Sequence, residues 1–128
     1  IGSIPTAYVI ARWRGVDIFE VGSGNMGANN VWRTVGFSYG LAVLLLDATK
    51  GIVAILIARQ VWADHQALAS ALAAVSVVAG HNWSFLATII TGSIRGGKGA
   101  ATASGTFLFL APTLLVALVL GLDRCFSL

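Results

Sequence analysis

Two glycine-rich stretches gather most of the side chains able to bind an anion. Residues 21–33 read VGSGNMGANNVWR, and residues 96–105 read GGKGAATASG. Glycine lets a backbone curl until successive N–H groups face one point, and such a nest holds phosphate or carboxylate oxygens. In the first stretch Gly22 and Gly24 free the backbone, Ser23 can donate or accept, and Asn25 and Asn30 carry amides. Arg33 presents a planar fork suited to phosphate. Two readings of Arg33 stand side by side. It binds an anion near the N-terminal end of the following membrane helix, where it is expected to be buried, or it snorkels as a topology anchor.

Residues 92–99 read GSIRGGKG, one position short of the G-x-x-x-x-G-K-[ST] phosphate loop. Gly99 replaces the hydroxyl that would hold magnesium, and no strand precedes the loop. Gly96, Gly97 and Gly99, with Arg95 and Lys98 ahead of a helix N-terminus, still form a suitable anion cradle. The alternative is a simple basic turn at the membrane interface. His81 and His65 have no carboxylate at metal-ligand spacing, so neither metal nor cofactor is expected. Five residues after His81 stands Leu86, which excludes a His-x-x-x-x-Asp acyltransferase pair. His81 therefore reads either as the C-terminal cap of a helix or as a catalytic group. There is no G-x-S-x-G elbow, and five carboxylates in the whole chain make no obvious general-base pair. Any group transfer must start from an activated substrate.

The elements that hold these loops are apolar. Of 128 residues 57% are hydrophobic and 10% charged, against about 25% charged in an average soluble domain. An all-α, polytopic transmembrane bundle is expected, about four spans in one domain over residues 1–128, with the two glycine-rich loops outside the bilayer. The net charge of +3 is too small and scattered for nucleic-acid binding, and a single cysteine permits no internal disulfide.

In order, residues 1–11 suit the remaining half of a cut first helix, closed by the interface anchors Arg12, Trp13 and Arg14. Residues 15–33 form the first loop. Residues 35–57 are long enough to span, interrupted by Asp47 and Lys50, which share a helical face. Either they pair with each other or they touch a ligand, because unpaired charges at that depth are costly. Residues 59–66 make a polar connection. Residues 67–79 are a short span that must recruit its flanks, with small residues at Ala69, Ala73 and Ala74 for close helix contact. Gly80 to Trp83 end it, and residues 85–91 form a re-entrant or interfacial piece. Residues 100–122 give the last span, kinked at Pro112. Arg12, Arg14, Arg33, Arg95 and Lys98 flank the two loops while the middle connection has only Arg59, so both loops are expected on the cytoplasmic side.

The series GSIPTAYVIAR at 2–12, GSGNMGANNVWR at 22–33, LDATKG at 46–51, AGH at 79–81 and GGKGAAT at 96–102 resembles one family. It is similar to the bacterial membrane acyl-phosphate:glycerol-3-phosphate acyltransferases of the PlsY type, and the motifs fall in order across nearly the whole chain. The resemblance implies a multi-pass inner-membrane enzyme of phospholipid synthesis with its active face toward the cytoplasm. Such an enzyme moves an acyl group from acyl phosphate to the 1-hydroxyl of glycerol 3-phosphate, releasing lysophosphatidate and phosphate. It implies acyl phosphate, glycerol 3-phosphate and membrane lipid as partners. The family's first motif falls on Ser23, Asn25, Asn30 and Arg33. Its second falls on Gly96, Gly97, Lys98, Gly99 and Thr102, with His81 opening that block.

The match departs from the family pattern in three places. Asn29 stands where threonine is common, and the interval from His81 to Gly96 exceeds the family pattern. The family's third motif, of histidine, asparagine and glutamate, is expected beyond Leu128. Ser23, Arg33, Lys98 and His81 are the expected catalytic groups. Gly22, Gly24, Asn25, Asn30, Gly96, Gly97, Gly99 and Thr102 are expected to bind phosphate, supported by Asp47 and Lys50. Two other classes also fit loops of this kind. One is a small-anion transporter lined by Asp47, Lys50 and the loops, and the other is a lipid-binding subunit without turnover.

Overall fold

The computed structural model describes residues 1–112, and every regular element among them is helical. Helix α1, Thr6–Trp13, starts one residue after Pro5, whose fixed φ and missing N–H suit it to a helix entrance. Its inner side is alanine, and Ala7 and Ala11 are buried against Ile18, Met26, Val31, Val43 and Ala87. This core lies directly under the first glycine-rich loop. Ile18 and Met26, at 0% exposure, belong to the loop itself, so apolar burial fixes a stretch that has no regular structure of its own.

The loop ends sooner than expected. Residues Ala28–Thr34 form helix α2, so Asn30 and Arg33 are helical. Asparagine-rich sequence hides this turn because its intrinsic helix preference is poor, and burial of Val31 in the core overrides that preference. Arg33 sits in the last turn of α2, exposed on its surface. The expectation of a buried arginine at a helix N-terminus is thereby corrected. Gly40 then lets α3 close on α2, since a side chain there would strike the backbone of Trp32.

Helix α3, Phe37–Val61, has 25 residues, about 37 Å at 1.5 Å each, and covers a hydrocarbon core of about 30 Å. It runs four residues past its expected end at 57. Arg59 Nε donates to Ser70 Oγ at 2.7 Å, and Ser70 Oγ donates to Gln66 O at 2.7 Å. The polar last turn is thus tied to the next helix. The reversal is compressed into Trp62 and a 3-10 turn, Ala63–His65.

Helix α4, Gln66–Asn82, recruits flanking residues at both ends of the apolar run, as its short length demands. It runs antiparallel to α3, pairing Ser70 with Arg59 and His81 with Lys50. Helix α5, Phe85–Thr91, coincides with the expected interfacial piece. Ser84 caps it by accepting from Ala87 N at 3.1 Å, and Gly92 closes it with φ of 72°.

Helix α6, Ala100–Pro112, packs on α3. A side chain on Gly51 would meet Thr106 and the carbonyl of Thr102, and one on Gly105 would meet the backbone of Ala48. Such close backbone approach is how membrane helices gain dispersion contacts without a hydrophobic driving force between them.

Phe37–Val61 and the stretch Ala63–Thr91, which is interrupted at Trp83 and Ser84, are long and apolar enough to cross a membrane. The other two of the four expected spans are not complete here. Helix α1 has 8 residues, and the expected span over 100–122, with any bend at Pro112, extends outside the described residues. Large apolar side chains such as Leu45, Val75 and Phe107 point outward, as a lipid-facing surface requires. The N-terminal five residues lie across α4, where Gly2 and Gly80 meet backbone to backbone.

Candidate active site

The first loop is shaped by one side chain. Asn30 is 5% exposed, and its Nδ2 donates to the carbonyls of Ile18, Val21 and Asn25 at 3.1 to 3.2 Å. Its Oδ1 accepts from Ser23 N at 3.2 Å. Both N–H bonds of that amide are shared among carbonyls inside the loop, so Asn30 builds the nest and has no donor left for an anion. Gly24, at φ of 67°, takes a backbone form that other residues rarely adopt, and so lets the chain turn back to Val21 O.

The second loop is held by the end of α4. Gly97 N donates to His81 O at 3.0 Å, and Ser84 N donates to Arg95 O at 2.9 Å. A side chain on Gly97 would run into the His81 ring and the carbonyl of Met26. Glycine at 97 therefore permits contact with α4 and with the first loop at once. Arg95 spans the same junction, its guanidinium 4.7 Å from the Phe19 ring while Nε donates to Ser93 Oγ at 3.0 Å.

The two loops form one cleft of about 590 Å³ instead of two separate cradles. Ser23, Asn25 and Arg33 line one side, Lys98 and Gly99 the other, and Leu44, Asp47 and His81 the floor. Gly22 and Asn30 also reach this lining. Gly24, Gly96 and Gly97 border an adjoining shallow recess of about 310 Å³ that shares Ser23 and Asn25. Arg33 and Lys98 have no ion-pair partner among the described residues. They are uncompensated positive charges of the cleft, and their field favours negative charge there. Asn25 Oδ1 is buried without a hydrogen-bond partner.

Thr102 and Lys50 lie outside the cleft lining, and His81 reaches it without capping its helix. Thr102 is fully buried between α6 and α3 and does not line the cleft. Lys50 lies behind the cleft floor. Its ammonium is 2.8 Å from Asp47 Oδ1, donates to His81 Nδ1 at 2.7 Å and to Ile4 O at 3.2 Å. His81 does not cap its helix. Its ring is buried beside the ion pair, and the C-terminal N–H of Trp83 goes to Ala79 O. Reading the sequence found the Asp47–Lys50 face but missed its third member. The only signal was three costly polar residues at similar depth on two adjacent helices.

A sequence profile described as glycerol-3-phosphate acyltransferase matches residues 1–123. A glycerol-3-phosphate acyltransferase of Desulforamulus reducens is 44% identical over 124 residues, covering 95% of this chain and 58% of that protein. One of Geobacter sulfurreducens is 49% identical over 113 residues, covering 88% of this chain and 54% of that protein. This chain thus spans little more than half their length. Among solved structures, the glycerol 3-phosphate form of PlsY (YgiH), an integral membrane glycerol 3-phosphate acyltransferase, superposes with a TM-score of 0.73 at 35% identity. That match covers 98% of this chain and 60% of the other. Its lysophosphatidic acid form gives 0.71 at 35% identity, covering 93% and 56%.

Proposed function

The chain belongs to the glycerol-3-phosphate acyltransferase family, and on that premise we propose that it carries the anion-binding face of an enzyme transferring an acyl group from acyl phosphate to the 1-hydroxyl of glycerol 3-phosphate. The observation that carries this reading is the single cleft in which Ser23, Arg33 and Lys98 converge from both glycine-rich loops. Both substrates bear phosphate, and the cleft brings two free cations to one place. Solved relatives exist in glycerol 3-phosphate and lysophosphatidic acid forms, a substrate and a product of this reaction.

In the proposed reaction Lys98 and the N–H groups of the second loop hold one phosphate. Arg33 and Ser23 hold the other phosphate or the reacting carbonyl. The glycerol hydroxyl attacks the acyl carbon, the new C–O ester bond forms, and the acyl–phosphate bond breaks. The hydroxyl proton passes to a phosphate oxygen, which leaves as inorganic phosphate, so no protein base is required. Holding hydroxyl and carbonyl about 3 to 3.5 Å apart supplies much of the rate by removing the entropy of encounter. In this reading the cleft faces the cytoplasm at a bacterial inner membrane, and the basic residues flanking both loops support that side.

The test is lysophosphatidate formation from palmitoyl phosphate, followed by mass in lipid or detergent with and without glycerol 3-phosphate. It is run on this chain and on the protein with all the sequence its gene encodes. Glycerol-3-phosphate-dependent product is expected, with Arg33→Ala and Lys98→Ala each lowering turnover by about 100-fold or more. Full turnover in both variants would remove the reading.

A further inference from the structure

A lysine ammonium has three N–H bonds and no lone pair. Lys50 Nζ donates to His81 Nδ1 at 2.7 Å and to Ile4 O at 3.2 Å, and stands 2.8 Å from Asp47 Oδ1 as an ion pair. An ammonium offers only N–H donors, so at 2.7 Å Nδ1 accepts from it. A neutral imidazole that accepts at Nδ1 carries its proton on Nε2. Asp47 does not compete for the ring, because its Oδ1 stands 3.8 Å from Nδ1. The tautomer is therefore set from behind the site by a residue that never reaches the cleft.

The other ring nitrogen lies beside Gly97 of the second glycine-rich loop. His81 lines the cleft floor although only 3% exposed, and a side chain on Gly97 would strike its Nε2. No hydrogen bond from Nε2 reaches any described residue, the ring's single bond being the one at Nδ1. An N–H at a cleft floor with no protein acceptor is free to donate to a ligand oxygen. Lys98 and Arg33 line the same cleft, where an anion's oxygens belong.

We propose that Lys50 is a positioning residue that fixes His81 as the Nε2–H tautomer, and that this N–H donates a hydrogen bond to a phosphate oxygen held between the two glycine-rich loops. The inference rests on the acyl-transfer reading for the identity of that phosphate, but not for the tautomer.

The first measurement is the ¹⁵N spectrum of the histidine rings in micelles, with His65 assigned by substitution. Wild-type His81 gives the Nε2–H pattern, Lys50→Met turns it into a tautomer mixture, and glycerol 3-phosphate or palmitoyl phosphate shifts the Nε2–H proton. An Nδ1–H pattern, or an Nε2–H signal that neither phosphate moves, overturns the inference whatever the turnover.

The second measurement uses the protein with all its encoded sequence. His81→Gln keeps a side-chain N–H near the position of Nε2, whereas His81→Asn keeps only a partner for Lys50. Gln is expected to hold kcat/KM within about 10-fold of wild type while Asn loses about 100-fold or more. Asn equal to or better than Gln would reduce His81 to an acceptor for Lys50 and refute the donor role. A wild type that makes no lysophosphatidate removes the acyl-transfer reading, while the ring spectra still decide the hydrogen bond.

Discussion

At the scale of single residues, the chemistry is divided between groups that face the cleft and groups that hold them there. Asn30 shows the division most clearly. As an amide in a glycine-rich loop it reads as a ligand, yet its atoms close four hydrogen bonds within that loop. Asn30→Ala should strand three carbonyls and one N–H and destabilise the fold by about 3 kcal/mol. Thermal unfolding in detergent would measure this as a lowered midpoint, and an unchanged midpoint would contradict the scaffold role. Ser23, Arg33 and Lys98 were expected together from their types and neighbours, and all three line the cleft. The link from Lys50 to His81 was not, since 31 residues separate them and only the antiparallel return of α4 brings them within 2.7 Å.

At the scale of elements, glycine fixes how near one backbone comes to another. The α3–α6 contact depends on Gly51 and Gly105, where any side chain would enter a neighbouring backbone or threonine. Gly105→Leu is expected to push α6 off α3 at a cost of roughly 2 to 3 kcal/mol. It should also lower turnover by moving the residues at the N-terminus of α6, Ala100 and Ala101, that line the cleft. Unfolding midpoint and turnover together check this, and wild-type values for both would show that the contact is dispensable. Helices α3 and α5 were readable from apolar runs with clear breakers at either end. Helix α2 was not, because its Ala-Asn-Asn start carries loop-like residues and its stability comes from burying Val31. The extension of α3 through Arg59 escaped notice for a similar reason, since it depends on Ser70 of another helix.

At the scale of the whole molecule, α3 and α4 form an antiparallel pair, and this puts the two glycine-rich loops at one end and the Ala63–His65 turn at the other. With Cys125 replaced by serine, an impermeant maleimide should label Asn29→Cys and Ile94→Cys from the same side of oriented vesicles. Asp64→Cys should label from the opposite side. Labelling of positions 29 and 94 from different sides would overturn the shared face. The N-terminal segment adds a consequence for how such a bundle is assembled during synthesis. Ser3 O accepts from Ser84 Oγ, 81 residues later in the chain, and Ile4 O shares Lys50 Nζ with His81. At about 5 to 20 residues per second, several seconds separate translation of the first partner from the last. Until Ser84 is made, the Ser3 carbonyl has no lasting donor in the bundle, and until His81 is made, Lys50 has Asp47 and Ile4 O but no imidazole. The order of translation therefore makes the entry of α4 the event that locks the beginning of the chain, the buried charges and the cleft floor together.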